Sequence, residues 1–173
     1  PDYETKPSYS ATVTVSDGEN SSTQEITITI VNLNDNEPIF ESSSTFSANE
    51  NQTSIGTASA TDADGDTLTY SISGSEISID SATGVMSFVA APDYETKPSY
   101  SATVTASDGA FSSSEQISIN IINLNDNAPI VISANNFIVD ENETSIGTAS
   151  ATDADGDTLT YSISGSEISI DSA

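Results

Sequence analysis

The sequence predicts an all-β chain of tandem seven-stranded Greek-key β-sandwich units with a period of 91 residues. Three observations carry that expectation. The chain repeats itself: Pro1–Thr14 (PDYETKPSYSATVT) is identical to Pro92–Thr105, Thr53–Ala82 is identical to Thr144–Ala173, and NLNDN recurs at Asn32–Asn36 and Asn123–Asn127, all at an offset of 91. Within the repeat, apolar residues alternate with Ser and Thr at a period of two, as in strands with one face buried. Glycine-bearing turn signals cut the alternation into short runs, with no helical period between them.

A 91-residue unit suits a small domain, whereas solenoid repeats are shorter. The expected division is residues 1–36 as the C-terminal half of one unit, 37–128 as a complete unit and 129–173 as the N-terminal half of a third. In the complete unit, Phe46 and Ala48 open the first strand and Ile55 marks the second. Leu68, Tyr70 and Ile72 form a third, Ile77 and Ile79 a fourth, and Met86 and Phe88 a fifth. Tyr100, Ala102, Val104 and Ala106 make the sixth, and Ile117, Ile119 and Ile121 the seventh. The turns are Asp64-Gly65-Asp66, Ser73-Gly74-Ser75, Thr83-Gly84 and Ser107-Asp108-Gly109. About seven antiparallel strands in such a unit make a sandwich. Tyr100, near the start of the sixth strand, is either a corner tyrosine that bonds the backbone or simply a buried aromatic.

Composition narrows the function. The chain of 173 residues has 27 acidic side chains against Lys6 and Lys97, a net charge of −25. That charge repels nucleic acid and anionic membranes, so neither is an expected partner. No apolar run approaches the ~20 residues that span a bilayer, so no direct membrane insertion is expected. Ordered alternation in a chain that is 35% hydrophobic argues against disorder. There is no Cys and no His, which removes disulfides, ordinary zinc sites and Cys/His or Ser/His catalysis. Oxygen ligands remain, and they suit Ca²⁺ or Mg²⁺. The start in mid-pattern at Pro1, with no signal peptide, fits a piece of something longer.

The carboxylates are gathered at repeated points: Asp93-Tyr-Glu95, Asn125-Asp126-Asn127, Glu50, Asp62-Ala-Asp64-Gly-Asp66 and Asp108. In a sandwich, alternate connections share a pole. The Asp62–Asp66 loop and Asp108 therefore fall at one pole, and Asp93, Glu95 and the final NLNDN at the other. Successive units would bring two acidic poles together across NLNDN. Unit charges ~4 Å apart repel by about 1 kcal/mol in water and by more when partly buried. Ca²⁺, with about 6–8 oxygen ligands, relieves that conflict.

In these residues the chain resembles cadherin repeats, over essentially its whole length. NLNDNEP and NLNDNAP match the family linker Asp-x-Asn-Asp-Asn-x-Pro except at the first position. Asp2-Tyr-Glu4 and Asp93-Tyr-Glu95 resemble its Asp-x-Glu loop, and Asp62-Ala-Asp64 and Asp153-Ala-Asp155 its Asp-x-Asp loop. Asn49-Glu50-Asn51 and Asp140-Glu141-Asn142 are similar to its Pro-Glu-Asn, and Ser16-Asp17-Gly18 and Ser107-Asp108-Gly109 to its Ala-x-Asp-x-Gly corner. The resemblance implies up to three Ca²⁺ per inter-repeat linker. One linker would use Glu50, Asp93, Glu95, Asn125, Asp126, the Asn127 carbonyl, Asp153 and Asp155. The other would use Asp2, Glu4, Asn34, Asp35, Asn36, Asp62, Asp64 and Asp108. Each set holds six carboxylates, which balance three Ca²⁺. Two departures stand out. Asn32 and Asn123 replace the first linker Asp, which removes a charge and is expected to weaken or empty one ion position. The DADGD loop is short, so that Asp66 and Asp157 would supply a carbonyl where the family has Asn.

The short loop, the Ser/Thr-rich strands and the near-identical repeats are more similar to bacterial cadherin-like repeats of large surface adhesins. That likeness implies extracellular, calcium-rigidified spacers at a cell surface that support cell adhesion, with neighbouring repeats of the chain as partners. It also raises head-to-tail self-association through the complementary half-units. The alternative is a calcium-dependent carbohydrate-binding β-sandwich module. Such a module needs an exposed aromatic platform, and only Phe111 falls clearly on an outward position. An EF-hand needs Gly at the sixth loop position and Glu at the twelfth, where this chain has Thr67 and Ser73. A glycosidase carboxylate pair would need a shaped sugar pocket, so no catalytic residue is expected.

Overall fold

A computed structural model of the chain describes residues 1–171; Ser172 and Ala173, the end of the expected third unit, lie outside the described residues. Every regular element among those residues is a strand. The first two, β1 (Ser8–Ser16) and β2 (Ser21–Thr29), form an antiparallel hairpin. The central unit follows with β3 (Ile39–Phe40), β4 (Thr45–Asn49), β5 (Ser54–Thr57), β6 (Ala60–Thr61) and β7 (Thr69–Ile72). It is completed by β8 (Ile77–Ile79), β9 (Val85–Phe88), β10 (Ser99–Ser107) and β11 (Ser112–Ile122). Beyond it, β12 (Ile130–Val131) pairs with β13 (Ala151–Thr152).

One layer of the sandwich has the order β4-β11-β10-β7 and the other β5-β9-β8, with β3 paired to β6. The inward face is the alternating set read from the sequence. Met86, Val104 and Ile119 are wholly buried, and Ala48, Ile55, Ile77, Phe88, Ala102, Ile117 and Ile121 pack with them. The intervening Ser101, Thr103 and Ser118 face solvent. Gly65, Gly74, Gly84 and Gly109 all take positive φ, as turns at those places require.

Two features differ from the simple expectation. The unit has nine strand segments, because the first and second expected strands are each broken. The first crosses between layers: β3 pairs with β6 on one side, and after Glu41–Ser44 β4 pairs with β11 on the other. The second is interrupted by an irregular register between Ser54 and Gly56 and by a break before β6. The pairing is also not wholly antiparallel, since β4 lies parallel to β11. A strand that enters this layer from the other one is free to run in either direction.

Tyr100 is the aromatic that packs, not the one that bonds the backbone. Its ring sits 4.9 Å from that of Phe88 and under the Lys97 ammonium at 4.2 Å. The hydroxyl that caps a strand belongs to Tyr70, which accepts the Ala60 amide at 3.0 Å.

The flanking segments repeat the central geometry. Tyr9 pairs with Ile28 as Tyr100 pairs with Ile119, and Ile130 pairs with Thr152 as Ile39 pairs with Thr61. Burial differs. Val13 and Ile28 are 46% and 53% exposed, whereas their counterparts Val104 and Ile119 are covered by the second layer and are at 0%.

Candidate metal centre

The fold carries acidic residues to both ends of the central unit. At the tail end, Glu50 follows β4 where the chain turns through Asn51, at φ 63°. Asn51 donates its amide to the Pro92 carbonyl and Glu50 donates to that of Ile122, so the turn is held between the β9–β10 loop and the end of β11. Glu50 is only 2% exposed. Its Oε2 accepts the Tyr94 amide at 2.9 Å and its Oε1 accepts the Leu124 amide at 2.8 Å. One carboxylate thus ties the loop that bears Asp93 and Glu95 to the linker that bears Asn125, Asp126 and Asn127.

Ligand oxygens of Glu50, Glu95, Asp126 and Asp155 lie within 4.8 Å of one another. Asp155 belongs to the loop before the next unit's counterpart of β7. Its Oδ2 accepts the amides of Asp126 and Asn127 at 3.1 and 2.8 Å, and its Oδ1 accepts the Asn127 side-chain amide at 2.9 Å. The head end of the central unit has the same arrangement. Asp64 Oδ2 accepts the amides of Asp35 and Asn36 at 3.0 and 2.8 Å, and Glu4, Asp35 and Asp64 form the equivalent cluster.

The DADGD loops are folded on their first residue. Asp62 Oδ1 accepts the amides of Asp64 and Asp66 at 3.0 and 3.2 Å, which turns three carboxylates toward one another. Asp153, Asp155 and Asp157 group likewise. Asp2 and Asp93 are differently engaged. Asp93 accepts the Thr96 hydroxyl at 2.8 Å and Asp2 that of Thr5 at 2.7 Å, so both shape their own turns and stand apart from the tight clusters. Asn125 is exposed.

Electrostatics matches the crowding. The Glu95 carboxyl is pushed up, chiefly by loss of water and, against the pull of its own backbone amide, by the charges of Glu50 and Asp155. Asp155 is held low, chiefly by the Asn127 side-chain amide. Among the described residues, five buried side-chain oxygens have no hydrogen-bond partner, and four of them fall on junction residues: Asn34 Oδ1, Asp62 Oδ2, Asp108 Oδ2 and Asn123 Oδ1. Asn34 faces Asp108 across the head pole. Buried acceptors without donors are costly, and a hard cation is the partner that an all-oxygen set lacking nearby Lys or Arg can take. The donor set therefore fits Ca²⁺.

Sequence reasoning missed three contributions. Asn32 and Asn123, read as lost charges, donate their side-chain amides to the backbone carbonyls of Asp64 and Asp155, each at 2.8 Å. Asn51 donates to Asp126 Oδ2. The recurrence of these asparagines at a fixed offset was visible, but nothing in the sequence says which loop an amide meets.

Residues 44–123 match the family model of the cadherin domain. Human protocadherin Fat 1 is 39% identical over 101 residues, which is 51% of this chain and 2% of that protein. Human protocadherin Fat 4 is 34% identical over 114 residues, 58% of this chain and again 2% of the relative. The chain thus spans a small fraction of the curated relatives it matches. Among solved structures, it is similar to the protocadherin gammaB7 EC3-6 cis-dimer structure, with a TM-score of 0.77 at 26% identity over 88% of this chain and 44% of the other. It is also similar to mouse cadherin-23 EC22-24, with a TM-score of 0.70 at 31% identity over 99% of this chain and 63% of the other.

Proposed function

The central unit of this chain is a cadherin domain, an extracellular adhesion-type module, and from that premise we propose that its repeats are calcium-rigidified spacers of a cell-surface adhesin. The reading takes residues 1–36, 37–128 and 129–173 as consecutive repeats that meet at two acidic joints. Calcium would bind at each joint, through Glu50, Glu95, Asp126 and Asp155 at one and through Glu4, Asp35, Asp64, Asn34, Asp62 and Asp108 at the other. Asp2, Asp93, Asn36, Asn125, Asn127, Asp153, Asp66 and Asp157 would complete or orient those sets. The observation that carries the reading is the concentration of unpartnered buried oxygens on junction residues.

In this mechanism the chain's own residues orient the two poles, and the cation supplies the positive charge that lets them abut. Hinge freedom is lost and a string of domains becomes a rod. A ligand at about 100 times its Kd adds roughly 2.7 kcal/mol per site. No step is catalytic, and the role is mechanical. The carbohydrate-binding alternative is not favoured, since the exposed aromatics Tyr3, Tyr9, Phe111 and Phe137 sit on separate segments and, among the described residues, the one packed ring pair is Phe88–Tyr100 within the sandwich. Self-association would bring the exposed face of Val13, Val15 and Ile28 against residues 129–171 of a second copy, and light scattering in calcium tests it.

Calorimetric titration of decalcified protein with Ca²⁺, a thermal melt at each end point and small-angle scattering form the main test. Several ions per chain, a large rise in melting temperature and a longer particle are expected. No binding, or equal length with and without calcium, would overturn the spacer reading.

A further inference from the structure

We infer that Asn32 and Asn123 are positioning residues that clasp each linker to the next unit's loop without a metal ion, so that the joints keep part of their order when calcium is withdrawn. The inference concerns the same joints as the spacer reading but does not depend on calcium binding. At both joints, 91 residues apart, the asparagine Nδ2 donates to a backbone carbonyl of the loop before or equivalent to β7, at 2.8 Å to Asp64 and 2.8 Å to Asp155. A carbonyl oxygen only accepts, so the amide nitrogen must face it and the orientation of the side chain is fixed by chemistry. The same two residues are gripped a second time. Asp64 Oδ2 takes the amides of Asp35 and Asn36, and Asp155 Oδ2 those of Asp126 and Asn127. Each loop aspartate is therefore held by the linker at its main chain and at its side chain.

An aspartate at position 32 or 123 could not make the first contact. It would set a carboxylate oxygen against a carbonyl oxygen and add a charge to a crowded pole. Asparagine reverses that sign. Its Nδ2 closes the clasp while the Oδ1 of Asn123 stays buried and unpartnered, free for a cation. The exchange that looks like a lost ligand charge thus supplies a donor to the joint, and makes the joint less dependent on the ion.

The test is amide hydrogen exchange by NMR on the full chain in excess chelator. It compares the wild type with the double variants N32D/N123D and N32A/N123A. In the wild type, the amides of Asp35, Asn36, Asp126 and Asn127 should be protected. The alanine pair should exchange at these amides about fivefold faster, the effect of one neutral hydrogen bond. The aspartate pair should exchange faster still. The Phe88 amide, which bonds Thr53 within the sandwich, reports whether the domain remains folded. Unprotected linker amides in the chelated wild type overturn the inference. So does normal protection in the alanine pair with loss only in the aspartate pair, which would assign the effect to charge. Because every reading is taken without calcium, a failure of the calcium titration leaves this outcome separate.

Discussion

Glu50 offers the sharpest prediction, because one buried carboxylate serves two loops. Replacing it by alanine leaves the amides of Tyr94 and Leu124, now bonded at 2.9 and 2.8 Å, without acceptors in a site only 2% exposed. Each orphaned donor costs about 1–3 kcal/mol, so E50A should lose about 2–6 kcal/mol. Glutamine keeps one acceptor oxygen but turns its NH₂ toward the other amide, so E50Q should lose about 1–3 kcal/mol. For a domain of this size, about 4–8 °C of melting temperature accompanies each kcal/mol. E50Q should then melt roughly 5–20 °C lower and E50A lower again. The environment sets a second comparison. Glu50 lies with Glu95, Asp126 and Asp155, so in chelator its loss also removes like-charge repulsion, which partly offsets the lost hydrogen bonds. On the proposed calcium reading, added Ca²⁺ would already neutralise that repulsion, and the substitution would also remove a ligand. Both variants should therefore be hurt more in calcium than in chelator. Scanning calorimetry in each buffer reads both effects. Equal melting of wild type, E50Q and E50A would refute the two-amide role, and identical losses in the two buffers would refute the shared ion.

Three further outcomes follow. M86A, which empties a wholly buried site between β5 and β8, should cost about 2–5 kcal/mol by denaturant unfolding, with the slope of the transition unchanged. G84A should be among the most damaging small changes. Gly84 sits at φ 71°, and an added Cβ would collide with the Ala58 carbonyl oxygen, so the variant should lack a cooperative melt at 37 °C. Asp80 is held below its usual 3.8 by the Thr83 hydroxyl and then by the Thr83 and Ala82 amides. Its contribution is present above about pH 4 and is lost as pH falls through the depressed value. D80N should lower the melting temperature at pH 7, and the gap to wild type should close on acidification, which a melt series from pH 7 to 2 would read.

Much of the fold was legible because alternation is a local signal. The residues expected inside, from Phe46 and Ala48 to Ile121, meet in the sandwich apart from Leu68, which precedes β7 and lies outside the core, while Ala58, Phe40 and Tyr94 join it unannounced. The turn glycines were legible because positive φ leaves few other choices. The broken strands were not, since Glu41–Ser44 looks like any polar interval and nothing in it announces a change of layer. The parallel partnership of β4 with β11 is likewise a long-range choice with no local mark. At the joints, the sequence revealed which carboxylates recur but not how they divide. Asp93 and Glu95 are two residues apart, yet Thr96 draws Asp93 into its own turn while Glu95 reaches the shared cluster. Nor did the sequence tell that Tyr70 would meet the Ala60 amide while Tyr100 packs on Phe88 beneath Lys97.

The two joints also show why neither pole is sufficient alone. At the tail end, Glu50 completes a four-carboxylate cluster, but that cluster depends on Asp155 from the following unit. At the head end, three oxygens are buried without partners, and one of them, Asn34 Oδ1, belongs to the preceding linker while Asp62 Oδ2 and Asp108 Oδ2 belong to the following unit. Each pole therefore brings an incomplete set with an excess of negative charge, and adjacency supplies the remaining oxygens. A cation site assembled in this way, as proposed, would tie cation affinity to the relative placement of the two units. By linkage, the same free energy that an ion gains from correct placement is available to hold that placement. The Asn32 and Asn123 clasps set the starting geometry, so less of that free energy is spent on ordering the linker.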